Sequence, residues 1–324
     1  MKRLRFIVQR LLQAIPVILS IIVINFILIQ MMGGDVVDIL VSDAGGASED
    51  YIENLRARYG LDQPWYIQLL AYMRNVLVLD LGYSFRFDVP VTELILDRLG
   101  PTLILMITTL IVSVGVGCLL GFLAAINLNT WRDWLISVFA LVSYATPLFW
   151  AGLMFIVVFA IRLGWVPTSG METIGAFYEG WDRVKDIAWH LILPAGTLSL
   201  FYLAFYTRMM RATMLEQADM DYAVTARAKG LTERQITFRH VLRNALLPIV
   251  TVVGLQTGGL LGGSVIVESV FGWPGLGLLA YDSLFARDLN LLLGIFFISA
   301  CLVVVVNIAI DTLYTFLDPR IHDD

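Results

Sequence analysis

The chain has 324 residues, 58% of them hydrophobic and only 15% charged, with a net charge of −5 and a mean hydropathy of +0.79. A soluble domain carries roughly 25% charged residues, so this apolar excess points to burial in lipid and excludes an ordinary soluble enzyme. Cys118, Cys301, His190, His240 and His322 are the only cysteines and histidines. They lie far apart, which excludes a disulfide framework and any metal-ligand spacing.

A bilayer core about 30 Å thick is crossed by roughly 20 mostly apolar residues. Six stretches qualify: Gln9–Met32, Pro101–Ile126, Leu135–Ile161, Leu191–Met210, Ala245–Val267 and Leu289–Leu317. The fold class predicted is therefore all-α, a polytopic membrane protein with about six transmembrane helices. Lys2, Arg3, Arg5 and Arg10 precede the first stretch as they would in a signal peptide. Its apolar region is too long for one, and no small-residue cleavage site follows, so it reads as a retained anchor.

Residues 33–100 are too long and too patterned for a plain connection. Ser48 suits the cap of a short helix carrying Ile52, Leu55 and Tyr59 and stopped by Gly60. Pro64 suits the first turn of a second helix bearing Ile67, Leu70 and Leu77. A third is predicted near Val91–Leu99, leading to Pro101. The domain organisation read from this pattern is 1–32 as N-terminus and first span, 33–100 as a small helical periplasmic insertion, and 101–324 as the core. That insertion serves equally as a packing domain or as a platform for a delivery protein.

Lysines and arginines gather on one side of the predicted spans, at Lys2, Arg3, Arg5 and Arg10, at Arg132, between Arg208 and Arg243, and at Arg320. Acids dominate the other side. The cation bias predicts that both termini are cytoplasmic, in a multi-pass protein of the bacterial inner membrane.

The cytoplasmic segment 211–244 carries the densest pattern. Asp219 or Asp221 suits the cap of a short helix through Tyr222, Ala223, Val224, Thr225, Ala226, Arg227, Ala228 and Lys229. Gly230 stands where a left-handed C-terminal residue belongs, and Thr232-Glu233-Arg234-Gln235 reads as a capping box opening a second helix into span five. The alanines at 223, 226 and 228 permit close approach by another surface. On the residues alone, the loop fits a rigid coupling element or a basic hairpin lying on anionic headgroups equally well.

Catalytic machinery is not evident. No G-x-x-x-x-G-K-[ST] run occurs that would cradle nucleotide phosphates, and no G-x-S-x-G elbow. Ionisable residues inside the spans are rare, which disfavours an ion-coupled secondary transporter or channel acting alone, the rival reading. Asp311, the exception, lies near the cytoplasmic end of span six, where a structural role is favoured.

Span five carries Gly254, Gly258 and Gly262 at four-residue spacing. Such a glycine face suits tight helix packing or a sliding seam along a translocation path; Gly117 and Gly121 offer a weaker version in span two. Beyond span five, Glu268, Trp273 and Pro274 are nominated as gate-adjacent, although aromatics there also serve as interface anchors.

The run Asp221-Tyr222-Ala223-Val224-Thr225-Ala226-Arg227-Ala228-Lys229-Gly230-Leu231, with Arg239-His240-Val241-Leu242-Arg243-Asn244-Ala245-Leu246-Leu247-Pro248, resembles the cytoplasmic loop of ABC importer permeases of the dipeptide/oligopeptide/nickel branch. Glu268-Ser269-Val270-Phe271-Gly272-Trp273-Pro274-Gly275-Leu276-Gly277, Leu163–Gly170, Asp80–Ser84 and Leu317–Arg320 are similar to further motifs of that family, in the same order. Two positions depart from it: Val224 stands where the wider superfamily has glutamate, and Gly33-Gly34-Asp35-Val36 replaces a Pro-Gly-Asp-Pro turn. The resemblance implies a type I ABC importer permease fold and no catalytic residue. It also implies a coupling helix, Asp221–Leu231, that docks on a cytoplasmic ATPase. The implied partners are a second, related permease, two ABC ATPase subunits or domains, a periplasmic solute-binding protein and the lipid bilayer, with no nucleic acid. No cofactor is implied in this chain, while ATP and Mg are implied in the ATPases.

Overall fold

The computed structural model describes residues 2–31, 62–84 and 86–317, together with positions 48, 49, 53 and 57. The helix predicted from Ser48 with its Ile52, Leu55 and Tyr59 stripe, the Gly33–Val36 turn, the Asp318–Arg320 ending and the Asp311 side chain lie outside the described residues. Among the described residues, eleven helices follow in chain order: α1 (Lys2–Met31), α2 (Trp65–Leu77), α3 (Val91–Ile126), α4 (Trp131–Ala145), α5 (Leu148–Phe155), α6 (Gly180–Ala218), α7 (Asp221–Ala228), α8 (Glu233–Ile236), α9 (Leu242–Phe271), α10 (Leu276–Ala286) and α11 (Leu289–Leu317). A two-residue antiparallel hairpin, β1 (Tyr83–Ser84) and β2 (Val89–Pro90), precedes α3. Single π-helical segments continue α5 (Ile156–Arg162) and join α8 to α9 (Thr237–Val241).

Five helical stretches are long and apolar enough to cross a membrane: Gln9–Met31, Val91–Ile126, Gly180–Ala218, Glu233–Gly254 and Leu289–Ile310. Two bent pairs bring the total to as many as 7. One corrects the sequence reading of Leu135–Ile161 as a single straight span, because the chain turns by 106° between α4 and the helix after it. The cause is Pro147, which forces Thr146 out of the helical region to φ −78°, ψ 126°. The other pair bends by 77° after α9, where Gly272 sits at φ 58° and ends the helix in a left-handed residue.

The helix predicted near Val91–Leu99 is the opening of the continuous α3, which runs through Pro101. Contacts divide the chain into two compact units, residues 1–97 with 283–304, and residues 98–282 with 305–324.

In the first unit, α2 lies antiparallel to α1. Gln30 hydrogen-bonds Gln68 at 2.9 Å, the Phe26 and Tyr72 rings sit 6.0 Å apart, and Ile22, Val76 and Phe297 form a small cluster. The apolar residues predicted on α2 point away: Ile67, Leu70 and Leu77 are all exposed. Tyr72, Met73 and Val76 take the packed face instead, because α1 approaches from their side. Asn25 Nδ2 donates to the Leu293 carbonyl at 3.2 Å, and Asp288 accepts from Ser84 Oγ and from the Leu291 N–H that opens α11.

In the second unit α6 is the hub, with 61% of its apolar window buried against 28% for α3. Leu198, Tyr202, Tyr206 and Met210 of α6 share one core with Leu105 and Met106 of α3 and with Ile249, Leu260 and Phe271 of α9. Glycines set the α3–α6 distance. A Cβ at Gly117 would lie 2.8 Å from Tyr206 Cβ, and one at Gly121 would overlap the Thr207 carbonyl. Backbone-to-backbone contact of this kind is the membrane-protein route to dense packing, where burial from water gives no drive.

Gly121→Val is therefore expected to destabilise the fold by about 1–3 kcal/mol through overpacking. The readout is a lowered midpoint of thermal unfolding in detergent. Gly262→Ala, where no atom lies within 4 Å of the new methyl, is expected to leave the midpoint unchanged.

Candidate functional site

The loop between α6 and α9 folds as two short helices at an end of the second unit. Helix α7 begins after Met220, whose extended backbone opens it with no side-chain cap. This corrects the expectation that Asp219 or Asp221 caps the helix; Asp221 is its first residue and acts only as an acid in the first turn, where the helix dipole favours it. Gly230 has φ 83°, and its N–H donates to the Arg227 carbonyl at 2.9 Å. No neighbour crowds the position, so the requirement for glycine is conformational. Thr232 and Gln235 form the reciprocal capping box that opens α8.

The surface that approaches Ala223 and Ala226 belongs to this chain. Ala223 and Ala226 are buried in this chain's own core with Met210, Met214, Ile236 and Val241. They cannot be the surface offered to a partner. Their small size lets α7 press against the end of α6 and the start of the helix toward α9. The outward residues are Asp221, Val224, Thr225, Ala228 and Lys229, with Val224 53% exposed. Tyr222 is half-buried, and its hydroxyl donates to Gln217 Oε1 at 2.9 Å. Leu231 packs against the core, its N–H donating to the Ala226 carbonyl at 3.3 Å.

Arg227 braces the two helices. Its Nε donates to Glu233 Oε1 at 2.8 Å, Nη2 to Glu233 Oε2 at 3.3 Å and Nη1 to the Ala218 carbonyl at 3.2 Å. The Glu233 carboxylate holds the guanidinium pKa above its ordinary value, so Arg227 is charged throughout the physiological range. One residue thus ties α6, α7 and α8 together.

An ion pair that sequence reasoning missed anchors the same end. Arg211 Nε and Nη2 donate to Asp133 Oδ1 and Oδ2 at 2.7 and 2.9 Å. The Asn129 N–H and Ser137 Oγ complete the carboxylate's partners. Such a fork fixes orientation as well as charge, and it joins α4 to α6 just before α7. Both residues were visible only as one cation and one acid among many; nothing in the sequence pairs positions so far apart.

The nominated path residues separate. Gly254 packs tightly, a Cβ there lying 3.0 Å from Ile310 Cγ2, whereas Gly262 faces open space and Gly258 is partly buried. Glu268 and Trp273 are fully buried and Pro274 partly so; none of the three lines an open mouth. Glu268 accepts from Thr102 Oγ1 and from the Leu278 N–H, both at 3.0 Å, while Thr102 Oγ1 itself accepts from the Leu276 N–H at 2.7 Å. The carboxylate thereby sits at the start of α10, where the helix dipole stabilises it. Trp273 Nε1 donates to the Pro101 carbonyl at 2.9 Å. Gly275 leaves room for the acid, since a Cβ there would overlap the Glu268 carboxyl group. These residues form a latch holding α3, α9 and α10 together.

A hub helix long and apolar enough to cross a bilayer, with a braced helix hung from its end, fits a membrane transport subunit. The chain belongs to the family described as the binding-protein-dependent transport system inner membrane component, whose pattern matches residues 117–323, with the N-terminal pattern of the same systems matching 3–106. It is a membrane-spanning permease subunit. Among its relatives, the oligopeptide transport system permease protein AppB of Bacillus subtilis is 40% identical over 320 residues, covering 98% of this chain and 99% of AppB. The dipeptide transport system permease protein DppB of Alkalihalophilus pseudofirmus is 35% identical over 336 residues, covering 98% and 99%. Among solved structures, the inward-facing MetNI methionine ABC transporter has a TM-score of 0.56 at 17% identity, over 70% of this chain and 97% of that one. The likeness extends to the fold, that of type I ABC importer permeases.

Gly230→Val is expected to disorder the α7–α8 turn, because a β-branched residue at this φ is strained, whereas Gly230→Asn should be tolerated. Thr232→Ala should cost about 1 kcal/mol by removing the cap. Hydrogen exchange across residues 221–236 reads both effects.

Proposed function

We propose that this chain is one of two permease subunits of an ATP-driven importer of peptides or similar small solutes. In this reading the termini and α7 are cytoplasmic, and residues 33–100 belong to the periplasmic side. A binding protein delivers the solute from that side, and a second, related permease completes the path. Two ATPase subunits, which hold the ATP and magnesium, dock on α7 and drive alternating access.

The observation that carries the reading is the two-faced construction of α7. Its inner face, Ala223 and Ala226, is buried in the same core as Met210 and Met214 of α6. Its outer face, Val224, Thr225, Ala228 and Lys229, is open. With Arg227 bracing α8, a displacement applied to the outer face passes to α6 and α9 as one body. The names carried by the relatives, oligopeptide and dipeptide permeases, support a peptide-like solute.

Val224→Glu is expected to leave membrane insertion and the fold intact, since the side chain is exposed, while solute uptake by the reconstituted complex falls at least about tenfold, the effect of roughly 1.4 kcal/mol lost at a docking contact. Uptake by the variant at the wild-type rate and equal expression would refute docking through this face. The purified chain alone is expected to hydrolyse no ATP and to pass no solute across liposomes along an ion gradient. Either activity in a clean preparation would contradict the reading.

A further inference from the structure

Arg208 and Arg211 stand one turn apart on α6 and differ in one respect. Arg211 is held by both oxygens of Asp133. Arg208 has no carboxylate partner among the described residues; its guanidinium lies over the face of the Tyr144 ring, 4.5 Å from the centroid, and the side chain is exposed. Side chains on a helix lean toward its N-terminus. On α6 that direction leads away from the end carrying Asp133 and α7, and into the depth of the bundle. The position of Tyr144 agrees, roughly 16 Å along α4 from Asp133 at the α-helical rise, about half the thickness of a bilayer core.

An arginine near a helix end ordinarily snorkels to the nearer interface. This one reaches the other way. A lone guanidinium at that depth is not tolerated against lipid, and such groups face a water-filled cavity or a charged partner. Aromatic rings fix its place. Tyr144 stacks on Phe201 with centroids 5.0 Å apart and planes 21° apart, and Phe201 packs edge-on, at 5.3 Å, against the buried Tyr202 of the core. Tyr144 and Phe201 are themselves 44% and 38% exposed. The group is a cation lying over one face of Tyr144, with Phe201 stacked on the same ring.

We propose that Arg208, Tyr144 and Phe201 form a subsite of the solute path that receives the terminal carboxylate of a peptide. The inference rests on the importer reading above. The guanidinium supplies a charge-assisted, two-pronged donor for a carboxylate, and the stacked rings supply an apolar surface for the adjoining side chain. The cation that spares Arg208 a fixed intramolecular partner is thereby available to a passing anion, which it can hold and release.

The test uses the whole nucleotide-free complex in nanodiscs, without the delivery protein, and compares tetra-alanine with its C-terminal amide. The wild-type complex is expected to bind tetra-alanine about tenfold more tightly, the scale of one hydrogen bond to a charged group. Arg208→Gln should abolish that preference and Arg208→Lys should keep part of it, with subunit composition unchanged. Equal binding of both peptides by the wild type, binding of neither, or a preference that survives Arg208→Gln would overturn the subsite. Loss of the second permease from the Arg208→Gln complex would also overturn it, by showing that the arginine pairs across the subunit interface. Uptake of tetra-alanine with the delivery protein present separates the two levels. Normal uptake with equal binding removes the subsite alone, whereas a wild-type complex that takes up no peptide removes the importer reading as well.

Discussion

The backbones of α3 and α6 touch at Gly117 and Gly121, where a methyl group would overlap Tyr206 and the Thr207 carbonyl. In lipid, apolar side chains gain nothing by leaving one hydrophobic medium for another, so close-packed backbone and satisfied polar groups hold helices together. That contact makes α6 the hub of the second unit. Once α3 is seated, the faces of α6 left for other neighbours are determined, and α4, α9 and the loop between α6 and α9 pack on those.

The consequence is that several of the unit's contacts converge on one helix. At one end of α6, Arg211 clasps Asp133 of α4, while Met210 and Met214 receive Ala223 and Ala226 of α7. Further along, Phe201 and Arg208 enclose Tyr144. Charge is treated differently at each place. Asp133 and Arg211 neutralise each other in a fork, and the buried Glu268 accepts from the Leu278 N–H and from Thr102 Oγ1 at the start of α10. Arg208 has no carboxylate partner among the described residues and lies over the Tyr144 ring.

Membership of the binding-protein-dependent permease family fits this economy. In the importer reading proposed above, such a subunit converts a push from outside the membrane into rearrangement within it. A single-turn coupling through loose loop would dissipate that push. The triple bracing of Arg227, the capping box at Thr232 and the left-handed Gly230 keep α7 and α8 stiff.

Local rules sufficed for much of this. Apolar run length determined the membrane class and nearly all the spans, because a bilayer imposes one length on every helix that crosses it. The turn at Gly230 and the box at Thr232 were legible, since each involves residues within a few positions. The order of motifs identified the family. Which face of each helix meets another was beyond the sequence. The alanines at 223 and 226 promised close approach, but only the structure shows that the surface they meet is this chain's own α6. Ile67, Leu70 and Leu77 looked packed and are exposed, and Glu268 and Trp273 looked like a gate and form a buried latch. Asp133 with Arg211, and Thr102 with Glu268, pair across most of a domain's length of chain. Composition and periodicity describe a helix by itself, whereas burial and pairing are properties of two helices at once. Only the tertiary structure brings the second one to the first.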